Sequence, residues 1–197
     1  MRFRYLIAVA LLLRATSSRA QAGPSSDPIR RLAPAAFLDL PSVIRRDLEM
    51  RGCLVPQPWD GWNGGSESST ARAPKNVIRG AFTAAGAADW AVLCSVRDTS
   101  QILIYRTATG PAARVVDSLM PAPDRSWLQG VGGGRWGYSR LLQTRPLRRI
   151  RAWRTDTDRQ LIPQPIDHDA IEQVFLDKAA EAFYYAGGRW YRQITAD

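Results

Sequence analysis

Residues 90–106 read WAVLCSVRDTSQILIYR, and this stretch decides the fold class of the chain. Its two ends, 90–96 and 101–106, are rich in β-branched and aromatic side chains, which favour strands. The polar residues between them, 97–100, have the length of a hairpin turn. The stretch therefore predicts two neighbouring antiparallel strands in the middle of the sequence.

The same β signal recurs on both sides of this hairpin, with turn-forming residues between the segments. The additional predicted strands are 77–82, 114–117, 136–142, 147–154, 182–186 and 189–195. Gly187 and Gly188 join the last two, which is the signal of a two-residue hairpin. The pattern predicts a mainly β (α+β) fold built on an antiparallel sheet. A barrel, a sandwich and a curled sheet all remain open at this point.

One short amphipathic helix is predicted over 41–51. Pro41 suits the first helical position, and the apolar residues Ile44 and Leu48 recur at helical spacing. Gly52 follows where a left-handed residue would end the helix. The helix therefore leads directly into Cys53.

A second short helix is predicted within 166–178. Asp169 and Glu172 stand three residues apart ahead of an apolar pair, which is the spacing of a capping box. The sequence thus predicts one or two short helices beside the sheet.

The amino-terminal residues 1–22 have the features of a cleavable signal peptide. Arg2 and Arg4 precede the apolar run 5–13, and small residues ending at Ala22 provide a cleavage site. A membrane-spanning helix needs about 20 apolar residues, so this run is too short for a stable anchor. We therefore expect a periplasmic or secreted protein.

The remaining chain divides into two parts. Residues 23–39 are rich in Pro, Ser and Arg, which predicts a flexible lead-in. Residues 40–197 have the length of one domain with its own core. We expect a single β-rich domain there.

The chain has two cysteines, Cys53 and Cys94. An even number of cysteines in an oxidising compartment favours a disulfide. The alternative is a pair of buried free thiols.

The net charge of +9 overstates the basic character of the domain. Four arginines lie in 1–22, and subtracting them leaves +5 for the mature chain. The densest basic stretch, 145–154, contains interleaved apolar residues and predicts a strand with a charged outer face. For an exported protein we expect no nucleic-acid partner.

The chain has one histidine, His168, which lies between Asp167 and Asp169. This triplet is the first candidate for a metal ligand set or an acid–base group. On a strand the aspartates would face away from the histidine, which opposes chelation by the triplet alone. Capping of the following helix is the alternative explanation of both carboxylates. No metal or cofactor is predicted.

Other catalytic patterns are weak. A serine or cysteine hydrolase needs a base beside its nucleophile, and the chain offers a single histidine and no G-x-S-x-G motif. The run 130–134, GVGGG, lacks the following Lys-Ser or Lys-Thr of a phosphate loop, so we interpret it as a turn. No catalytic residue is assigned.

Two of the seven tryptophans, Trp59 and Trp62, lie in a Gly-rich polar loop. Flat rings on loops can stack on sugars or grip a partner protein, so these residues are the predicted ligand contacts. The alternative is that both rings fold back over the core. Four other tryptophans fall in strand patterns and are expected to pack internally, namely Trp90, Trp136, Trp153 and Trp190.

Residues 80–94 carry Gly80, Phe82, Gly86 and Asp89, the last followed by W-A-V-L. This segment resembles one degenerate copy of the FG-GAP β repeat of integrin-like propellers. The calcium loop of that family is dense in Asp and Asn, whereas the turn here is mostly alanine, so the resemblance does not imply calcium binding. No second copy is found, and a propeller is not implied.

The mature chain as a whole is similar in layout to small uncharacterised exported bacterial proteins, a resemblance that implies no activity. Our leading hypothesis from the sequence is a non-enzymatic binding domain for a protein partner or an envelope glycan. The alternative is a carboxylate- or metal-dependent hydrolase centred on Asp167, His168 and Asp169. A purely structural envelope protein is a third hypothesis.

Overall fold

The computed structural model describes residues 27–63, 73–106, 114–152, 162–163 and 165–196. The predicted signal peptide, 1–22, and Trp153 lie outside the described residues. Neither α-helix of the described part is long and apolar enough to cross a membrane.

The described chain consists mainly of β-strands. The strands are β1 Arg31–Leu32, β2 Val55–Pro56, β3 Val77–Gly80, β4 Asp89–Val96, β5 Thr99–Arg106, β6 Arg114–Pro123, β7 Leu128–Gly130, β8 Trp136–Tyr138, β9 Arg140–Arg145, β10 Ala170–Phe175, β11 Ala179–Ala186 and β12 Arg189–Ala196. The helices are α1 Ser42–Met50 and α2 Leu147–Ala152, with short 3-10 turns at Pro34–Ala36, Asp60–Asn63 and Asp124–Trp127.

Two four-stranded antiparallel sheets form the body of the domain. The first sheet has the order β3-β4-β5-β6 and the second the order β12-β11-β10-β9. Two small two-stranded sheets, β1-β2 and β7-β8, accompany them. The predicted mainly β fold with antiparallel pairing and short helices is confirmed.

Both predicted hairpins are present. β4 and β5 are joined by Arg97 and Asp98, with φ of 50° and 59°, and β11 and β12 by Gly187 and Gly188, with φ of 57° and 83°. Two successive residues with positive φ match the right-handed twist of paired strands. At the two positive-φ positions, the first hairpin therefore has Arg and Asp whereas the second has glycine.

Alternation along the strands separates three groups of buried side chains. One face of the first sheet packs with α1, where Leu48 and Ile44 meet Val92 and Leu103. The opposite face packs against the second sheet. The outer face of the second sheet is covered by Ile150 of α2 together with Ile162 and Ile166. The two sheets thus pack face to face with a helix on each outer side.

The predicted first helix and disulfide are both confirmed. α1 covers Ser42–Met50, and Gly52 follows it with a φ of 68°. Cys53 is bonded to Cys94 of β4, with a Cα–Cα distance of 5.4 Å. The bond ties the end of the helix to the middle of the first sheet.

The predicted strand at 147–154 is wrong, because Leu147–Ala152 form α2. The backbone N–H of Leu147 donates to the Asp169 carboxylate at 3.0 Å, so a side chain distant in sequence caps the helix. Ile150 is buried while Arg148 and Arg149 are exposed. Apolar residues interleaved with arginines therefore fit a helical face as well as a strand.

The predicted helix within 166–178 is also wrong. Ala170–Phe175 form β10, which pairs with β9 on one side and β11 on the other. Asp169 caps α2 rather than a helix of its own, and Glu172 binds side chains of neighbouring strands. Pairing between strands overrides a local spacing that suits a capping box.

Ordered structure begins before residue 40. Within the predicted lead-in, 23–39, Arg31–Leu32 form a strand and Ile29 and Phe37 are buried. Arg31 donates to the fully buried Asp124 at 2.8 Å. An arginine in a polar, Pro-rich stretch thus anchors that stretch to the domain.

Candidate functional site

A cleft of about 260 Å³ opens beside the second sheet, and its aromatic walls and hydrogen-bonded charged groups make it a candidate binding site. Its lining residues come from β10, β11, β12 and the 3-10 turn before β7. They are Trp127, Gln173, Phe175, Ala179, Ala180, Glu181, Arg192 and Ile194.

Strand alternation explains why these residues converge. Gln173 and Phe175 share a face of β10 with Ile171, which is buried between the two sheets. Across the β10–β11 ladder, Gln173 lies opposite Glu181 and Phe175 lies opposite Ala179. The cleft is therefore a continuation of the inner face of the second sheet.

Trp127 forms an aromatic wall of the cleft. Its ring meets that of Phe175 edge-on, with centroids 5.6 Å apart and planes at 82°. The buried indole Nε1 of Trp127 has no hydrogen-bond partner among the described residues. The small side chain of Ala179, opposite Phe175, leaves the space that the two rings border.

A chain of polar side chains runs from the core to the rim of this cleft. Arg140 donates through Nε to Gln173 Oε1 at 2.7 Å, and Gln173 Nε2 donates to Glu181 Oε1 at 2.6 Å. Glu181 in turn accepts from Arg192 Nε at the rim. One carboxylate is thus shared, directly and through an amide, between two guanidinium groups.

Arg140 is the most buried charged group in this chain of contacts, with no exposed surface. It donates to Ser100 Oγ at 2.9 Å and to the Met120 carbonyl oxygen at 3.0 Å, and its guanidinium lies 4.5 Å from the Trp127 ring centroid. Burial lowers the pKa of Arg140, but a guanidinium remains charged at neutral pH. The cleft is therefore backed by a buried positive charge.

The backbone that receives Arg140 is itself unusual. Met120 has a φ of 52°, in the left-handed region that non-glycine residues rarely occupy. The β5–β6 register shifts between Ser100 and Ile102, the part of the ladder that faces Met120. Strained backbone of this kind tends to accompany functional sites, and here it supplies a carbonyl acceptor to Arg140.

Charged groups of both signs surround the cleft. Lys178 Nζ lies 4.7 Å from the Phe175 ring centroid, and the exposed Arg192 lines the rim. The buried Asp124 and Glu181 are anions that act on Arg140. An apolar lining thus combines with one exposed guanidinium, that of Arg192.

The predicted ligand contact Trp59 lies elsewhere, on the β7–β8 hairpin. Its backbone N–H donates to the Tyr138 carbonyl at 2.8 Å, and the Arg135 guanidinium lies 5.7 Å from its ring centroid. A Cβ added to Gly137 would meet Trp59 Cβ at 2.8 Å, so the residue packs closely on β8. Trp62 falls in the Asp60–Asn63 turn, and its side chain lies outside the described part of the structure.

The expectation that Trp136 packs internally is wrong, since 60% of this residue is exposed. Trp90 is buried as expected, and Trp190 is half-buried with Nε1 donating to Asp117 at 2.7 Å. Strand alternation at the end of a short hairpin leaves the ring of Trp136 without a facing layer.

The triplet Asp167, His168 and Asp169 does not converge on one point. His168 Nδ1 lies 2.5 Å from Asp167 Oδ1 and 3.1 Å from the Tyr184 hydroxyl, whose ring stacks on the imidazole at 4.3 Å. The hydrogen bond with His168 holds the pKa of Asp167 below its usual value. Asp169 instead accepts from the backbone of Leu147 and Ala81. Within the described ranges no group of three His, Cys, Asp or Glu residues is placed to hold a metal ion.

The segment that resembles an FG-GAP repeat forms β3, a turn and β4. Asp89 is fully buried, and one of its oxygens accepts from the backbone of Phe82 at 3.0 Å and of Thr83 at 2.7 Å. The same oxygen accepts from the Thr83 hydroxyl at 2.8 Å. The aspartate therefore closes the turn through its own side chain.

Sequence reasoning missed the cleft and its polar chain. The available signal was a pair of polar residues, Gln173 and Glu181. Each lies two positions from an apolar residue, Ile171 or Phe183, and therefore on the same inward face of its strand.

Comparison with protein-family models, curated proteins and solved structures finds no match to this chain.

Proposed function

We propose that this chain is an exported binding domain and that the cleft beside the second sheet receives an apolar side chain of a protein partner. The carrying observation is the lining, in which the large side chains Trp127, Phe175 and Ile194 are apolar. Ligand sites are typically concave and apolar, with a few placed polar groups. Ile194 is 66% exposed, so the apolar surface continues from the cleft onto the rim.

The lining favours a protein partner over a glycan. A sugar carries many hydroxyl groups, and burying them without hydrogen bonds costs free energy. Gln173 and Glu181 are already committed to each other and to Arg140 and Arg192. A carboxylate held in this way by its neighbours is also poorly placed to transfer a proton, which supports binding over hydrolysis at this cleft.

Two further observations support an extracellular setting. The Cys53–Cys94 disulfide is compatible with an oxidising compartment. The signal-peptide features of 1–22 point to the same setting, and export stays part of the proposal.

The binding proposal is tested with indole, an uncharged ring that mimics a tryptophan side chain, titrated into the isotope-labelled mature domain. We expect amide shifts concentrated in Ala179–Ala186 and around Ile194. The variant Ile194→Asp should weaken indole binding about tenfold, because it places a charge on the apolar rim.

Leu38→Asp is the control, since Leu38 is 85% exposed and borders a separate cleft of about 730 Å³ with Phe37 and Trp90. It should leave indole binding unchanged. Shifts spread over the whole surface, or equal weakening by both variants, would contradict the cleft as the binding site.

A further inference from the structure

The charged side chains around the cleft indicate that its apolar occupant also carries a negative charge. The inference rests on the proposed function, since it concerns the occupant of the same cleft. Arg192 uses Nε to bind Glu181, and 59% of its side chain is exposed. A guanidinium has five N–H donors, so its terminal nitrogens can bind a second carboxylate side by side.

The exposed guanidinium of Arg192 favours an incoming anion at the rim of the cleft. Glu181 is the one carboxylate in the polar chain, and it faces Arg140 through Gln173 and Arg192 directly. The buried Asp124 also acts on the charge of Arg140, so Arg192 is the cation of this chain that a ligand can reach. Lys178 adds an exposed cation beside Phe175.

The size of the cleft limits its occupant to about one residue. Its volume of 260 Å³ is slightly below the lower bound of about 300 Å³ for small-molecule sites. The occupant must therefore combine an apolar group and a negative charge within one residue. Among the unmodified residues of a polypeptide only the carboxyl-terminal one does so, because its apolar side chain and its α-carboxylate share one Cα.

We propose that the cleft binds the carboxyl terminus of a partner polypeptide that ends in an aromatic or large aliphatic residue. The terminal side chain packs against the Trp127 and Phe175 rings over Ala179, and the terminal carboxylate accepts from Arg192. Arg140 holds Gln173 in place, and through it Glu181.

The test uses three synthetic tetrapeptides: one ending in Phe with a free carboxylate, the same peptide as a terminal amide, and one ending in Ala with a free carboxylate. Affinities are measured by calorimetry. The Phe acid should bind at least about tenfold more tightly than either of the others, as expected of a charge-assisted bidentate contact and an apolar anchor. Added salt should narrow the difference between acid and amide.

Arg192→Gln should make the Phe acid and the Phe amide bind equally, while keeping a hydrogen-bonding side chain beside Glu181. Arg189→Gln is the matched control, because Arg189 is exposed on the same strand with its side chain on Tyr191 and away from the cleft. It should keep the full preference for the acid.

Three results would overturn the inference, and they are distinguishable. Equal binding of the Phe acid and the Phe amide to the unaltered domain would exclude recognition of the terminal carboxylate, but it would leave the cleft as an apolar binding site. Binding of free 3-phenylpropionate as tight as that of the Phe peptide would make the occupant a small acid rather than a chain end. Failure of indole and of all three peptides would remove the proposed function itself.

Discussion

The two four-stranded sheets share one topology and differ in what their central strands bury. In the first sheet the central strands β4 and β5 bury apolar side chains on both faces over 91–94 and 102–105. In the second sheet β10 and β11 bury Glu172, Gln173 and Glu181. The same meander thus forms an apolar core in one sheet and carries a polar network in the other.

The polar residues of the second sheet are divided between its faces. Glu172 lies on the outer face, where it accepts from Gln143, Arg145 and Thr195. Glu181 lies on the inner face and belongs to the cleft. Buried charges persist in proteins when they are paired and hydrogen-bonded, and such networks often mark a site rather than a source of stability. The first sheet therefore acts as the scaffold and the second as the working surface.

Among the variants considered, Arg140→Ala should cause the largest loss in the free energy of unfolding, because Arg140 holds the polar network of the second sheet. It leaves Gln173 Oε1 and the Met120 carbonyl without their donor in the core, and we expect a loss of about 3–5 kcal/mol in the free energy of unfolding. Urea unfolding measures the loss. The control Arg189→Ala removes an exposed arginine from the same sheet and should cost less than about 1 kcal/mol. Similar losses in the two variants would mean that the inner network is not a special feature of the second sheet.

Removing the disulfide should weaken the first sheet and leave the cleft competent. A closed loop with a sequence separation of 41 stabilises by up to about 4 kcal/mol in the chain-entropy model. The double variant Cys53→Ala, Cys94→Ala should lose up to that amount in urea unfolding but still bind indole. Wild-type protein under reducing conditions should lose a similar amount, whereas the double variant should not respond to the reductant. Loss of indole binding by the folded variant would show that the sheets are not separable in this way.

The turns of the two central hairpins should respond to substitution in opposite directions. Gly188→Ala places a Cβ at a φ of 83° with nothing within 4 Å, so the expected loss of about 1 kcal/mol comes from backbone strain alone. Arg97→Gly relieves a side chain from a φ of 50° and should gain up to about 1 kcal/mol. Thermal unfolding measures both. A gain at Gly188 or a loss at Arg97 would exclude backbone conformation as the controlling factor.

Local sequence signals predicted the parts of the fold that local chemistry determines. Pro41, Gly52 and the apolar spacing between them were sufficient for α1, and Gly187–Gly188 for the last hairpin. The cysteine pair followed from parity and the expected compartment. These features need no knowledge of the neighbouring chain.

The errors arise where a residue acts on a distant element. Asp169 has the local appearance of a helix cap, and it does cap a helix, but the helix begins at Leu147. Gln173, Glu181 and Arg192 form a cleft because three strands align them, and no single segment contains that information. The sequence therefore predicts the fold class and the disulfide but not the site.

The turn Asp124–Trp127 links the amino-terminal segment to the cleft. At its start, Asp124 is held by Arg31 and by the hydroxyl of Ser95 at 2.6 Å, and at its end Trp127 forms the wall of the cleft. One short turn thus contacts the anchored strand β1 at its start and forms part of the cleft at its end. A displacement of β1 that moves this turn would therefore also move the aromatic wall of the cleft.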